Sequence, residues 1–135
     1  KQARAAAIAA EAAGEQGKFW EMHDKLFANP RDLTEANFIA WARELKLDVK
    51  RFERDLASTT LGDRVDAHQR QANTLGARGT PAFFVNGRFL SGAQPIESFR
   101  VLVDEEKTKA AAKVAAGTAR KDVYAETIAS GKTAM

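Results

Sequence analysis

Few residues in this chain can do chemistry. His23 and His68 are its only imidazoles, 45 positions apart, and it contains no cysteine. Without a thiol these residues form no disulfide, no cysteine nucleophile and no Cys-ligated metal site. A metal centre would need further His, Asp or Glu ligands at close spacing. Each histidine lies instead in an apolar helical stripe, where a packed or half-exposed imidazole is the simpler expectation, so neither a metal nor a cofactor is expected. There is no nucleophile elbow, no glycine-rich phosphate loop and no His-Glu-x-x-His motif. Asp104-Glu105-Glu106 reads as a solvated helix face, and Trp20 and Trp41 read as core anchors rather than stacking platforms.

One short segment stands out. Gly79-Thr80-Pro81 precedes a bulky apolar run. A proline at the start of a strand removes an N–H where the loss is tolerated, and it forces the preceding residue into extended backbone. Extended backbone of this kind can leave N–H and C=O groups free to pair with an incoming peptide. Spacing alone favours an ordinary trans proline, because only about 5–6 % of X–Pro bonds in folded proteins are cis.

The elements that must position these residues are mostly helices. Ala3 to Ala13 has strong helix propensity and ends at Gly14. Phe19, Met22, His23, Leu26 and Phe27 form one apolar stripe at helical spacing, stopped by Asn29-Pro30. Thr34 reads as an N-cap for a helix carrying Phe38, Trp41, Ala42 and Leu45. Asp48 caps a shorter one with Val49, Phe52 and Leu56, and a fifth runs from about Thr60 to Leu75, ending at Gly76. The period changes after Gly79. Ala82–Val85 and Arg88–Ser91 read as strands around Asn86-Gly87, a dipeptide suited to the positive φ angles of a type I′ turn. Pro95 then opens a helix expected to bury Ile96, Phe99, Leu102 and Val103. Beyond Asp104 the chain is Ala- and Lys-rich with weak periodicity. Val123, Tyr124 and Ile128 anchor a last short helix, and Ser130–Met135 reads as a linker or frayed end.

The 135 residues suit one compact domain, or one domain and a tail. Of the apolar residues 27 are Ala and 33 are larger, enough for one modest core. No run approaches the roughly 18–20 apolar residues of a membrane span, and no signal-peptide pattern opens the chain. The net charge of +3 comes from 21 basic and 18 acidic residues, largely interleaved. Nucleic-acid binders cluster their cations, so nucleic acid is not an expected partner.

Gly79-Thr80-Pro81-Ala82-Phe83-Phe84-Val85-Asn86-Gly87, followed by Leu90-Ser91-Gly92-Ala93-Gln94-Pro95, resembles the C-terminal half of DsbA-like thioredoxin-fold proteins. The stretch Ala9–Ala13 with Gln16–Phe27 resembles the opening of that family's inserted helical domain. The two blocks occur in family order and cover roughly residues 1–106. The resemblance implies a cis Thr80-Pro81 bond, a substrate-binding role for Gly79, Thr80 and Pro81, and disulfide exchange with client polypeptides. It also implies a redox partner protein and a periplasmic or otherwise extracytoplasmic setting. The family's Cys-x-x-Cys motif is absent, so no catalytic residue is assigned and no redox activity is expected of the chain itself.

The expected fold is therefore mostly α with a small β-hairpin: a partial DsbA-like thioredoxin fold carrying its inserted helical domain. Residues 1–76 would be that domain, 77–106 the thioredoxin-like hairpin and helix, and 107–135 an extension or linker. The chain reads as a fragment of a disulfide oxidoreductase. The first alternative is a non-catalytic helical module that binds peptides, and a thioredoxin-fold relative using glutathione or coenzyme chemistry is a weaker one. An isolated hairpin is marginal in water, and an uncovered Ala82–Val85 edge invites pairing with a second copy.

Overall fold

A computed structural model describes residues 2–131. The expected class, mostly α with a small hairpin, is what it shows. Seven helices and two strands are present among the described residues. The chain divides into two compact units, residues 1–69 and 70–135, and the division falls within the fifth helix.

The first unit is built around α1 (Gln2–Gly14), which buries Ala6, Ile8, Ala9, Ala10, Ala12 and Ala13. Its small side chains let α2 (Phe19–Ala28), α3 (Glu35–Glu44) and α4 (Val49–Leu56) all pack on one helix. Met22, Leu26, Phe38, Trp41, Ala42, Phe52 and Leu61 fill the space between them, and Phe38, Phe52 and Met22 are the largest fully buried side chains. Both expected caps are formed. Thr34 Oγ1 accepts the Asn37 N–H at 3.3 Å, and Asp48 Oδ1 accepts the Arg51 N–H at 3.0 Å. The Gln16 amide clamps Asp48 from both sides, accepting its N–H at 2.8 Å and donating to its C=O at 3.1 Å.

Helix α5 (Thr59–Thr74) is tied to α1 by charge. Arg4 makes a bidentate pair with Asp66, both contacts 2.8 Å. Arg64 reaches Glu15 at 2.8 Å and Glu11 at 3.1 Å. Gly62 belongs to this seam, since a Cβ there would stand 2.8 Å from the Arg4 guanidinium.

The second unit holds β1 (Ala82–Val85), β2 (Arg88–Ser91), α6 (Ile96–Ala115) and α7 (Val123–Ile128). The strands pair antiparallel, from Ala82 opposite Ser91 to Val85 opposite Arg88. The turn between them is the one its dipeptide calls for: Asn86 has φ 49° and Gly87 φ 82°. Phe83 meets Phe99 of α6 edge-to-face, ring centroids 4.9 Å apart.

Two expectations about packing, in α2 and in α6, are corrected. Trp41 is a core anchor, but Trp20 is 68 % exposed and Phe27 75 % exposed, so the α2 stripe faces inward through Met22, Leu26 and the half-buried Phe19. Along α6 Leu102 is buried, whereas Ile96 and Val103 are exposed. The Ala- and Lys-rich stretch after Asp104 continues α6 without a break to Ala115. High helix propensity sustains it where amphipathic periodicity is weak. The short last helix forms with Val123 buried and Tyr124 exposed. Of the expected linker, residues 132–135 lie outside the described residues.

Candidate functional site

Gly79, Thr80 and Pro81 form an exposed bend between α5 and β1. Helix α5 ends where Gly76 takes φ 88° and the Ala77 N–H reaches back to the Ala72 carbonyl at 2.8 Å. The Thr80-Pro81 peptide bond is cis. The Pro81 carbonyl accepts the Gly92 N–H at 2.8 Å, which continues the hairpin ladder one step beyond its strands. Among the described residues, neither the N–H nor the C=O of Thr80 has a hydrogen-bond partner in the chain. Thr80 is exposed, and its one donor and one acceptor stand free of intrachain partners beside the hairpin, an arrangement that can take up an extended peptide backbone.

The hairpin is held by an ionic clamp. Arg88 of β2 reaches Glu105 at 2.5 Å and Glu106 at 3.0 Å, and Lys109 reaches Glu106 at 2.8 Å. Glu106 is only 4 % exposed, which corrects the reading of Asp104-Glu105-Glu106 as a uniformly solvated face. The hydrogen bond from Lys109, and after it that from Arg88, hold the Glu106 carboxyl below the usual glutamate range. The Arg88 guanidinium is raised in turn by its bonds to Glu105 and Glu106. Nothing in the local sequence marks Glu106 apart from its neighbours; its partner Arg88 lies on the preceding strand.

Among the described residues no cluster of three or more His, Asp or Glu could hold a metal ion. The histidines share a different environment. His23 packs against Phe27, ring centroids 4.5 Å apart, and edge-on to Trp20 at 5.2 Å. Its Nδ1 lies 3.1 Å from Asp24 Oδ1. His23 and His68 both line an apolar cavity of about 480 Å³ in the first unit, together with Phe19, Phe27 and Val65. Their shared cavity was not visible from their separation in sequence.

A cis-proline bend opening an antiparallel hairpin, with a helix packed behind it, is a thioredoxin-type arrangement, here accompanied by a helical unit. The family model of the DSBA-like thioredoxin domain matches residues 1–104, and the chain belongs to that family. Among curated proteins it is similar to two Salinispora proteins named Na(+)/H(+) antiporter, NhaA 1 of S. arenicola and NhaA 3 of S. tropica. Each is 44 % identical over 101 residues, covering 75 % of this chain and 16 % of the relative. The NhaA antiporter of Herminiimonas arsenicoxydans is 38 % identical over 102 residues, 76 % of this chain and 16 % of the relative. The chain thus spans about a sixth of the length of the curated relatives it matches. No solved structure matches it.

Proposed function

We propose that this chain is the client-binding part of a DsbA-like protein-disulfide oxidoreductase. An extended segment of a cysteine-containing client pairs with the N–H and C=O of Thr80, and Pro81 and Gly79 shape the bend that presents them. Thiol exchange is the work of a Cys-x-x-Cys pair outside these 135 residues, reoxidised or rereduced by a partner protein, in an extracytoplasmic compartment. The observation that carries this reading is the exposed, unpartnered backbone of Thr80 in a chain of the DSBA-like family. Ion transport is not assigned to the chain. The antiporter relatives share it over 16 % of their length, and no helix among the described residues is long and apolar enough to cross a membrane.

The test is an amide NMR titration of the chain with an extended peptide whose cysteine is alkylated. Shifts centred on Gly79–Ala82 are expected. N-methylation of the peptide amide that pairs with the Thr80 carbonyl removes one hydrogen bond, worth about 1 kcal/mol or roughly fivefold in Kd. A second reading, a helical module that binds peptides without catalysis, is favoured by the apolar cavity beside exposed Phe27 and Trp20. Shifts confined to that cavity would select it. On either reading the chain alone, lacking cysteine, should give only background turnover in dithiol-driven insulin reduction.

A further inference from the structure

A second surface lies mostly beyond the residues matched by the family. From Lys107 to Lys121 the chain carries Lys107, Lys109, Lys113, Arg120 and Lys121 and no acidic residue. The later half of α6, the following turn and α7 enclose a shallow groove of about 570 Å³. Ala110, Ala111, Val114 and Val123 contribute its apolar lining, and Lys107 and Arg120 border it. Lys109 and Lys113 are paired with Glu106 and Glu126. Lys107, Arg120 and Lys121 have no ion-pair partner among the described residues. The balance of charge read for the chain as a whole holds for residues 1–69, with eleven basic and twelve acidic residues, but not for residues 70–135, with ten and six.

We propose that this groove docks an acidic amphipathic helix from a partner polypeptide. The shape and the charge each exclude something. A bilayer surface is bound by large apolar side chains that protrude into it, whereas this lining is concave and made of Ala and Val. A nucleic-acid backbone needs cations but gains nothing from an apolar lining. A helix with an apolar stripe fits the groove, because short side chains let it approach closely. Carboxylates flanking its stripe would meet Lys107, Arg120 and Lys121, the cations left without partners.

The probes are two designed helical peptides of roughly five turns, each with a Leu stripe, flanked by Glu in one and by Lys in the other. Titrated into the isotope-labelled chain, the Glu peptide should shift amides from Lys107 to Val123, with affinity that falls as salt rises. Lys107→Glu with Arg120→Glu should weaken it about tenfold. Ala111→Leu, which narrows the groove without changing charge, should weaken it as well. Equal binding of the Lys peptide, shifts outside this segment, or insensitivity to both variants would overturn the proposal. So would tighter binding of phosphatidylglycerol vesicles or duplex DNA through the same residues.

Discussion

Residues 1–69 and 70–135 solve the problem of being folded in different ways. Among the described residues the first unit contains thirteen of the fifteen buried hydrophobic side chains, and the second only Leu102 and Val123. Conversely, eight of the ten exposed large hydrophobics among the described residues, Phe83, Phe84 and Phe89 included, belong to the second. The helical unit is held by a core and trimmed by caps. The hairpin unit is held by one turn, two aromatic contacts, Phe83 with Phe99 and Phe84 with Phe89, and one buried carboxylate with two cations. On the proposed client-binding reading the difference has a functional sense: the unit with the weaker core presents the free backbone of Thr80, while a surface already saturated with its own contacts has less to offer a client.

The largest effect should come from the core. Phe52 is fully buried between helices, so Phe52→Ala should cost about 3–5 kcal/mol. Phe84 stands 43 % exposed, and Phe84→Ala should cost about 1 kcal/mol or less. Urea unfolding followed by tryptophan fluorescence reads the helical unit, where both tryptophans lie, and amide exchange of the strands reads the hairpin unit. A comparable loss from both variants would erase the contrast.

Local signals come next in size. Asn86→Ala removes the short polar side chain that lets Asn tolerate φ 49° and should destabilise the hairpin by about 1 kcal/mol. Asp48→Ala removes the α4 cap and should cost about 1 kcal/mol. Strand amides should lose protection only in the first variant and α4 amides only in the second.

The smallest effect is one of pH. The folded-state pKa of Glu106 is depressed by Lys109 and Arg88, so its contribution is complete above the unfolded glutamate value of about 4.3. It is lost as pH falls through the depressed folded value. Hairpin protection should therefore decline on acidification, and Glu106→Gln should lower it at neutral pH while flattening the acid limb. An unchanged acid limb in Glu106→Gln would remove this carboxylate from the account.

Much of the fold was legible because its signals are local. Thr34 and Asp48 cap through their own side chains, and Asn86-Gly87 fixes a turn within four residues. Thr80-Pro81 was legible in a different way. Spacing favoured trans and only the family resemblance implied the cis bond that is present. What stayed hidden depends on residues far apart in the chain. The α2 stripe is wider than the face its neighbours cover, which leaves Phe27 in solvent. Glu106 is buried with its carboxylate paired to Arg88 and Lys109. His23 and His68 share a cavity only because α2 and α5 each line it. No periodicity reports such pairings.

Hydrogen exchange on the intact chain, with and without the alkylated client peptide, tests the account most directly. Without peptide, amides of Phe38–Leu45 should exchange near the limit set by global unfolding, and those of Phe83–Leu90 much faster. With peptide, protection should rise at Thr80 and through the adjoining hairpin while the α3 amides stay as they were. A hairpin as protected as α3 before peptide is added, or a peptide that protects only the helical unit, would contradict it.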